Sequence, residues 1–182
     1  MRHRALAWTT LLLATGLRAE MVRTEIKGLR MTIPSAWGRV PASSDFRAAQ
    51  FRISHVAPDT EDGEFVVFYF GKGQGGGVED NLDRWYGQFL QTDGKTTKDK
   101  AVVTTRTVAG LKVTQVDVSG TYKGGGPMMG GGGAPKPNTR MLAAIVEGGE
   151  GPWILKATGP EHTMEGAKHD FDALILSIEE HR

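Results

Sequence analysis

The sequence contains no cysteine among its 182 residues. Disulfide staples, thiolate nucleophiles, Cys-ligated zinc and iron–sulfur clusters are therefore excluded. A lipoprotein leader, which needs a cysteine at its cleavage site, is excluded too. No run of about 20 apolar residues occurs, so no helical membrane span is expected. Charge of one sign is also lacking: 22 Lys and Arg face 21 Asp and Glu, and no basic tract is present. Phosphate affinity comes from clustered Lys and Arg, so nucleic acid is not an expected partner. Conversely, 39% hydrophobic and 24% charged residues are ordinary for a folded chain and exclude disorder throughout.

What is present begins with an address. Arg2 and Arg4 precede a mostly apolar stretch, residues 5–17, and Leu17-Arg18-Ala19 supplies a small residue for cleavage. Residues 1–19 are thus expected to be a signal peptide and residues 20–182 a single exported domain, periplasmic or extracellular. Cleavage removes three arginines, so basic residues fall from 22 to 19 against 21 acidic ones. The exported chain is then slightly acidic.

Beyond the leader, strand patterns dominate. Residues 22–27 and 29–33 alternate apolar and polar positions around Gly28, and Pro34 stops the second run. Ala49, Phe51 and Ile53 alternate likewise. Residues 64–71 are apolar through their middle, which predicts a central strand covered on both faces. The spacing of Leu82, Trp85, Tyr86, Phe89 and Leu90 predicts a helix over 78–91. Residues 101–122 read as a long hairpin turning at Ala109-Gly110, with one slip of phase that suggests a bulge. Strands over 141–147 and 153–158 follow. Met164, Ala167, Phe171, Leu174, Ile175 and Ile178 then form the stripe of a closing helix running to the C-terminus. Tight turns between strands predict an α+β fold, a mostly antiparallel sheet flanked by helices.

Residues 124–137 hold seven glycines and three prolines in 14 positions. That composition forms neither helix nor strand, so a long loop between two strands is expected. Met128 and Met129 within it are adjacent, adaptable apolar side chains, and they are the candidate contact with a protein partner.

Other motifs carry less. Gly71-Lys72-Gly73-Gln74-Gly75-Gly76 matches the dinucleotide fingerprint G-x-G-x-x-G. Glu79 and Asp80, however, put two carboxylates where a pyrophosphate would sit, and the next segment reads as an antiparallel hairpin. A plain glycine loop is the reading adopted. His162, Glu165 and His169 fall at i, i+3 and i+7 on the closing helix, residue types that suit zinc or copper. The H-E-x-x-H spacing is absent, so a solvated face is expected, with no metal and no cofactor. No Gly-x-Ser-x-Gly occurs, and no catalytic residue is assigned.

The run Gly28-Leu29-Arg30-Met31-Thr32-Ile33-Pro34-Ser35-Ala36-Trp37 resembles the early strand and Pro-x-x-Trp turn of the Mog1/PsbP-like domain superfamily. The helix bearing Trp85, Tyr86 and Phe89, and the closing segment Phe171-Asp172-Ala173-Leu174-Ile175-Leu176-Ser177-Ile178, fit the same pattern. The resemblance implies an α/β/α sandwich around an antiparallel sheet. It also implies a non-enzymatic binding or assembly module, here one that contacts another envelope protein or complex. The alternative is a small-ligand-binding protein or hydrolase that uses a cleft between sheet and helix.

Overall fold

A computed structural model describes residues 20–124 and 134–181. Met128 and Met129 lie outside the described residues. The chain opens with β1 (Met21–Ile26) and β2 (Leu29–Pro34), an antiparallel hairpin pairing Ile26 with Leu29. Lys27 and Gly28 both have positive φ in its two-residue turn. That conformation matches the strand twist, and glycine adopts it without steric cost. Then come β3 (Gly38–Val40), β4 (Arg47–Ile53), β5 (Gly63–Tyr69) and helix α1 (Val78–Tyr86). β6 (Phe89–Leu90), α2 (Thr97–Lys100), β7 (Val102–Val108), β8 (Leu111–Tyr122), β9 (Lys136–Gly148) and β10 (Gly151–Pro160) follow. The chain closes with α3 (Glu161–Leu176) and β11 (Glu179–Glu180).

The large sheet runs β3-β4-β5-β10-β9-β8-β6, with β7 also paired to β8; a small sheet has the order β1-β2-β11. Every pairing is antiparallel. Alternation along the strands builds a core on each face of the large sheet. Phe65 and Val67 of β5, Trp153 and Leu155 of β10, and Leu142 and Val146 of β9 face α3 and the small sheet. Val66, Phe68, Ile154, Met141 and Ile145 face α1, where Leu82 and Trp85 close the second core. The doubly covered central strand expected over 64–71 is β5, whose Phe65, Val66, Val67 and Phe68 are all at most 3% exposed.

Four expectations are corrected. The loop expected over 124–137 gives way to strand at Lys136, where β9 begins opposite Tyr122. The helix predicted over 78–91 ends at Tyr86, with Gly87 as its C-cap. Phe89 and Leu90 return as a strand pairing Tyr122 and Thr121. Phe89 satisfies a helical stripe and a strand equally, because it is buried either way; Leu90 is 48% exposed. The hairpin of β7 and β8 pairs without a slip from Val102–Asp117 to Val108–Leu111. The irregularity lies instead between β8 and β9, at Gly120/Tyr122. Finally, the closing helix stops before the C-terminus. The Ser177 hydroxyl donates to Leu174 O at 2.7 Å and accepts from Thr32 N at 2.8 Å. The chain then turns to lay β11 against β2.

Candidate functional site

Cross-strand rows on the α1 face of the large sheet lose their apolar character toward one end. In one row Lys156 lies between Val66 and Ala143; in the next Thr158 lies between Glu64 and Met141. Arg47 reaches over the same area from β4. Its Nη1 donates to Glu64 Oε2 at 2.9 Å, and Gln50 Nε2 donates to the same oxygen at 3.2 Å. The Arg47 guanidinium also sits 5.8 Å from the centre of the Phe68 ring.

Lys156 is the centre of this polar patch. It is 7% exposed. Its Nζ donates to Gln88 Oε1 at 2.8 Å and to the Tyr122 hydroxyl at 3.2 Å, and lies 5.1 Å from the Tyr122 ring centre. Burial pushes the amine down to about 8; Glu64 opposes that and Arg47 and Arg84 reinforce it. The Thr158 hydroxyl oxygen is buried with no hydrogen-bond partner among the described residues.

Outward from Glu64, Tyr122 and Thr158 opens a cleft of about 880 Å³. One wall is the turn bearing Asp59, Glu61 and Asp62. The other is formed by Gly124 and Ala134 to Asn138, the roots of the glycine-rich segment. Each carboxylate in the cleft is already engaged. Asp59 Oδ2 accepts from Thr163 N at 2.6 Å and Thr163 Oγ1 at 2.7 Å, and the Thr163 hydroxyl foremost holds its carboxyl below the ordinary range. Asp62 Oδ1 meets His55 Nδ1 at 2.8 Å and accepts from His55 N at 2.9 Å, and the His55 side chain foremost lowers its carboxyl likewise. Glu61 pairs with Lys136, and Glu64 with Arg47. Four carboxylates line the cleft against one ammonium, Lys136, while Arg47 and Arg52 meet Glu64 and Asp62 from outside the lining. Asp59 and Asp62 are shifted away from the protonated form that a general acid needs at neutral pH.

The other sequence candidates are elsewhere. His162 pairs with Glu165 at 3.9 Å, while His169 is 75% exposed and pairs with Asp170 at 3.6 Å. The helix face does not bring the three together, and no group of three or more His, Asp or Glu that could hold a metal occurs among the described residues. The glycine loop at 71–76 is tied to α1 by Asn81, whose Nδ2 donates to Gly75 O at 2.9 Å and Gly77 O at 2.8 Å. Asp80 Oδ2 accepts from Gly77 N at 3.1 Å, so a carboxylate occupies the helix start that a pyrophosphate would need. The patch around Lys156 was missed by sequence reasoning. Its signal was one lysine inside the apolar run Trp153-Ile154-Leu155-Lys156-Ala157, where a strand buried on both faces has no room for a solvated ammonium.

The layered arrangement has counterparts among solved structures. The solution structure of cyanobacterial PsbP (CyanoP) from Synechocystis sp. PCC 6803 superposes with a TM-score of 0.54 at 13% identity, covering 94% of this chain and 98% of that one. This is the PsbP-like fold. A Pseudomonas aeruginosa protein of unknown function, PA94, described as a putative regulator, gives a TM-score of 0.48 at 12% identity, over 86% of this chain and 94% of its own. A Bacteroides thetaiotaomicron protein gives 0.45 at 14% identity, over 85% of this chain and 46% of its own. No protein-family model and no curated protein matches the chain. A PsbP-like sheet with α1 on one face and α3 on the other matches the α/β/α sandwich expected from the sequence. No helix among the described residues is long and apolar enough to cross a membrane.

Proposed function

We propose that residues 20–182 form one exported, non-enzymatic binding domain that docks on another envelope protein through the acidic cleft. The observation that carries this reading is that all four cleft carboxylates have internal partners, Asp59 a threonine and the other three a Lys, Arg or His, and that two of them have carboxyls shifted toward the ionised form. They act as fixed negative charge, not as proton carriers. The partner that suits such a wall is an extended segment bearing Lys or Arg, since charge complementarity sets both encounter rate and register. The glycine-rich segment is rooted in the same cleft, and Met128 and Met129 on it are proposed as adaptable apolar contacts.

The test is in-cell cross-linking and affinity purification of the exported protein, beside a deletion of residues 125–134 and a Glu61→Lys variant. Either change is expected to weaken capture of a dominant partner while leaving the Tm nearly unchanged. Full capture by both variants would overturn the reading and direct attention to small-molecule ligands of the Tyr122–Thr158 floor.

A further inference from the structure

The sheets leave one long edge uncovered among the described residues. β7 pairs with β8 on one side and with nothing on the other. Six of its seven residues are exposed, with Val102 at 63% and Val103 at 40%. An edge of unpaired N–H and C=O groups is a template for another strand, and proteins blunt such edges with charge, proline, bulges or brevity. The other edges here show these devices. β3 has three residues, and β6 and β11 have two each. β1 carries Arg23 and Glu25, ion-paired to Glu179 and Arg30. β7 has no proline, no bulge and a single charge, Arg106, and six of its seven residues are β-branched.

We infer that β7 is an interface through which two copies of this chain pair edge to edge, antiparallel, about a two-fold axis at Thr105. The sequence of the strand sets the register of that pairing. With Thr105 opposite itself, all seven residues are paired. Val102 meets the partner's Val108, Val103 the partner's Thr107, and Thr104 the partner's Arg106. Val102 is set beside Val108, which its own chain already buries to 8% exposure, and the single charge faces a threonine. Moving the axis to Arg106 sets arginine against arginine, which destabilises directly opposed positions. Moving it to Thr104 leaves Thr107 and Val108 without partners.

The absence of cysteine makes the test clean. The protein is expressed with its leader and purified after processing. It is expected to sediment as a concentration-dependent mixture of monomer and dimer. In Thr105→Cys the two introduced thiols meet across the axis, with Cα atoms about 4.5–5.5 Å apart, within disulfide range. Mild oxidation is expected to yield a covalent dimer. Thr107→Cys, exposed on the same strand, lies about 13 Å from its own copy in this register and stays unlinked. Thr105→Lys opposes two ammonium groups at the axis and is expected to raise the dimer dissociation constant about fivefold or more, with an unchanged Tm at dilutions where both proteins are monomeric. A protein that is monomeric up to high micromolar concentration overturns the inference. So does equal cross-linking at positions 105 and 107, or a dimer indifferent to Thr105→Lys.

Discussion

Lys156 carries a charge into an environment that disfavours it. Gln88 Oε1 and the Tyr122 hydroxyl accept its hydrogen bonds, but neither brings a full counter-charge, and the amine falls from 10.5 to about 8. A depression of that size corresponds to roughly 3 kcal/mol favouring the neutral form. The unfolded chain binds the proton more tightly, so the cost to folding is fully present below pH 8. It is relieved as the pH rises from 8 to 10.5, where stability increases with pH. Lys156→Met removes the buried cation and leaves Gln88 Oε1 without that donor, a loss of about 1–3 kcal/mol. The variant is therefore expected to be about as stable as the parent, or more so, at pH 7, and to lose ground to it steadily between pH 8 and 10.5. Urea denaturation across that range checks the point. Parallel pH profiles would remove Lys156 as the titrating group.

Among the elements, α3 depends on a distant residue. Its N-cap is Pro160, which has no side chain able to accept from the exposed amides of the first turn. Asp59, 104 residues away along the chain, supplies the acceptor for Thr163 N and Thr163 Oγ1. Asp59→Ala is expected to lower the Tm by about 2–4 °C, the usual effect of losing a cap in a chain of this length. Because the carboxyl is held below its ordinary 3.8, its contribution is complete at neutral pH and is lost as the pH falls through that lowered value. The Tm gap between the parent and Asp59→Asn should accordingly close in acid, and a gap that persists there would assign the effect to something other than charge. Periodicity alone revealed the α3 stripe, since Met164, Ala167, Phe171, Leu174 and Ile175 are all buried. It could not reveal Asp59, because a cap supplied from another element leaves no mark near the helix start. For the same reason α2 went unread: four residues give no period, although Thr96 Oγ1 accepting from Asp99 N at 3.2 Å is a local cap in the sequence.

At the scale of the molecule, local patterns fixed the strands and the antiparallel hairpins but not which distant strands meet. β5 pairs with β10 across more than eighty residues, Tyr69 opposite Trp153. β2 takes its second neighbour, β11, from the last residues of the chain. Both pairings bring together polar groups that no motif joins, Glu64 beside Thr158 in the first and Arg30 beside Glu179 in the second. Trp153 connects the two sheets. It is 1% exposed, stacks on Tyr69 at 5.3 Å, and its Nε1 donates to Lys27 O at 3.0 Å in the β1–β2 turn. Gly148 completes the contact from β9, since a Cβ there would lie 2.3 Å from the indole. If this junction makes the small sheet cooperative with the large one, Trp153→Phe should lower the urea midpoint without changing the slope. Its cost is expected to be about 1–3 kcal/mol, from the lost hydrogen bond and the unfilled volume. Far-UV dichroism and the fluorescence of Trp37 and Trp85 should then report a single coincident transition. If Trp37, buried in the α3-side core, unfolds ahead of the dichroism change, the junction is weak and the small sheet with α3 opens as a unit of its own.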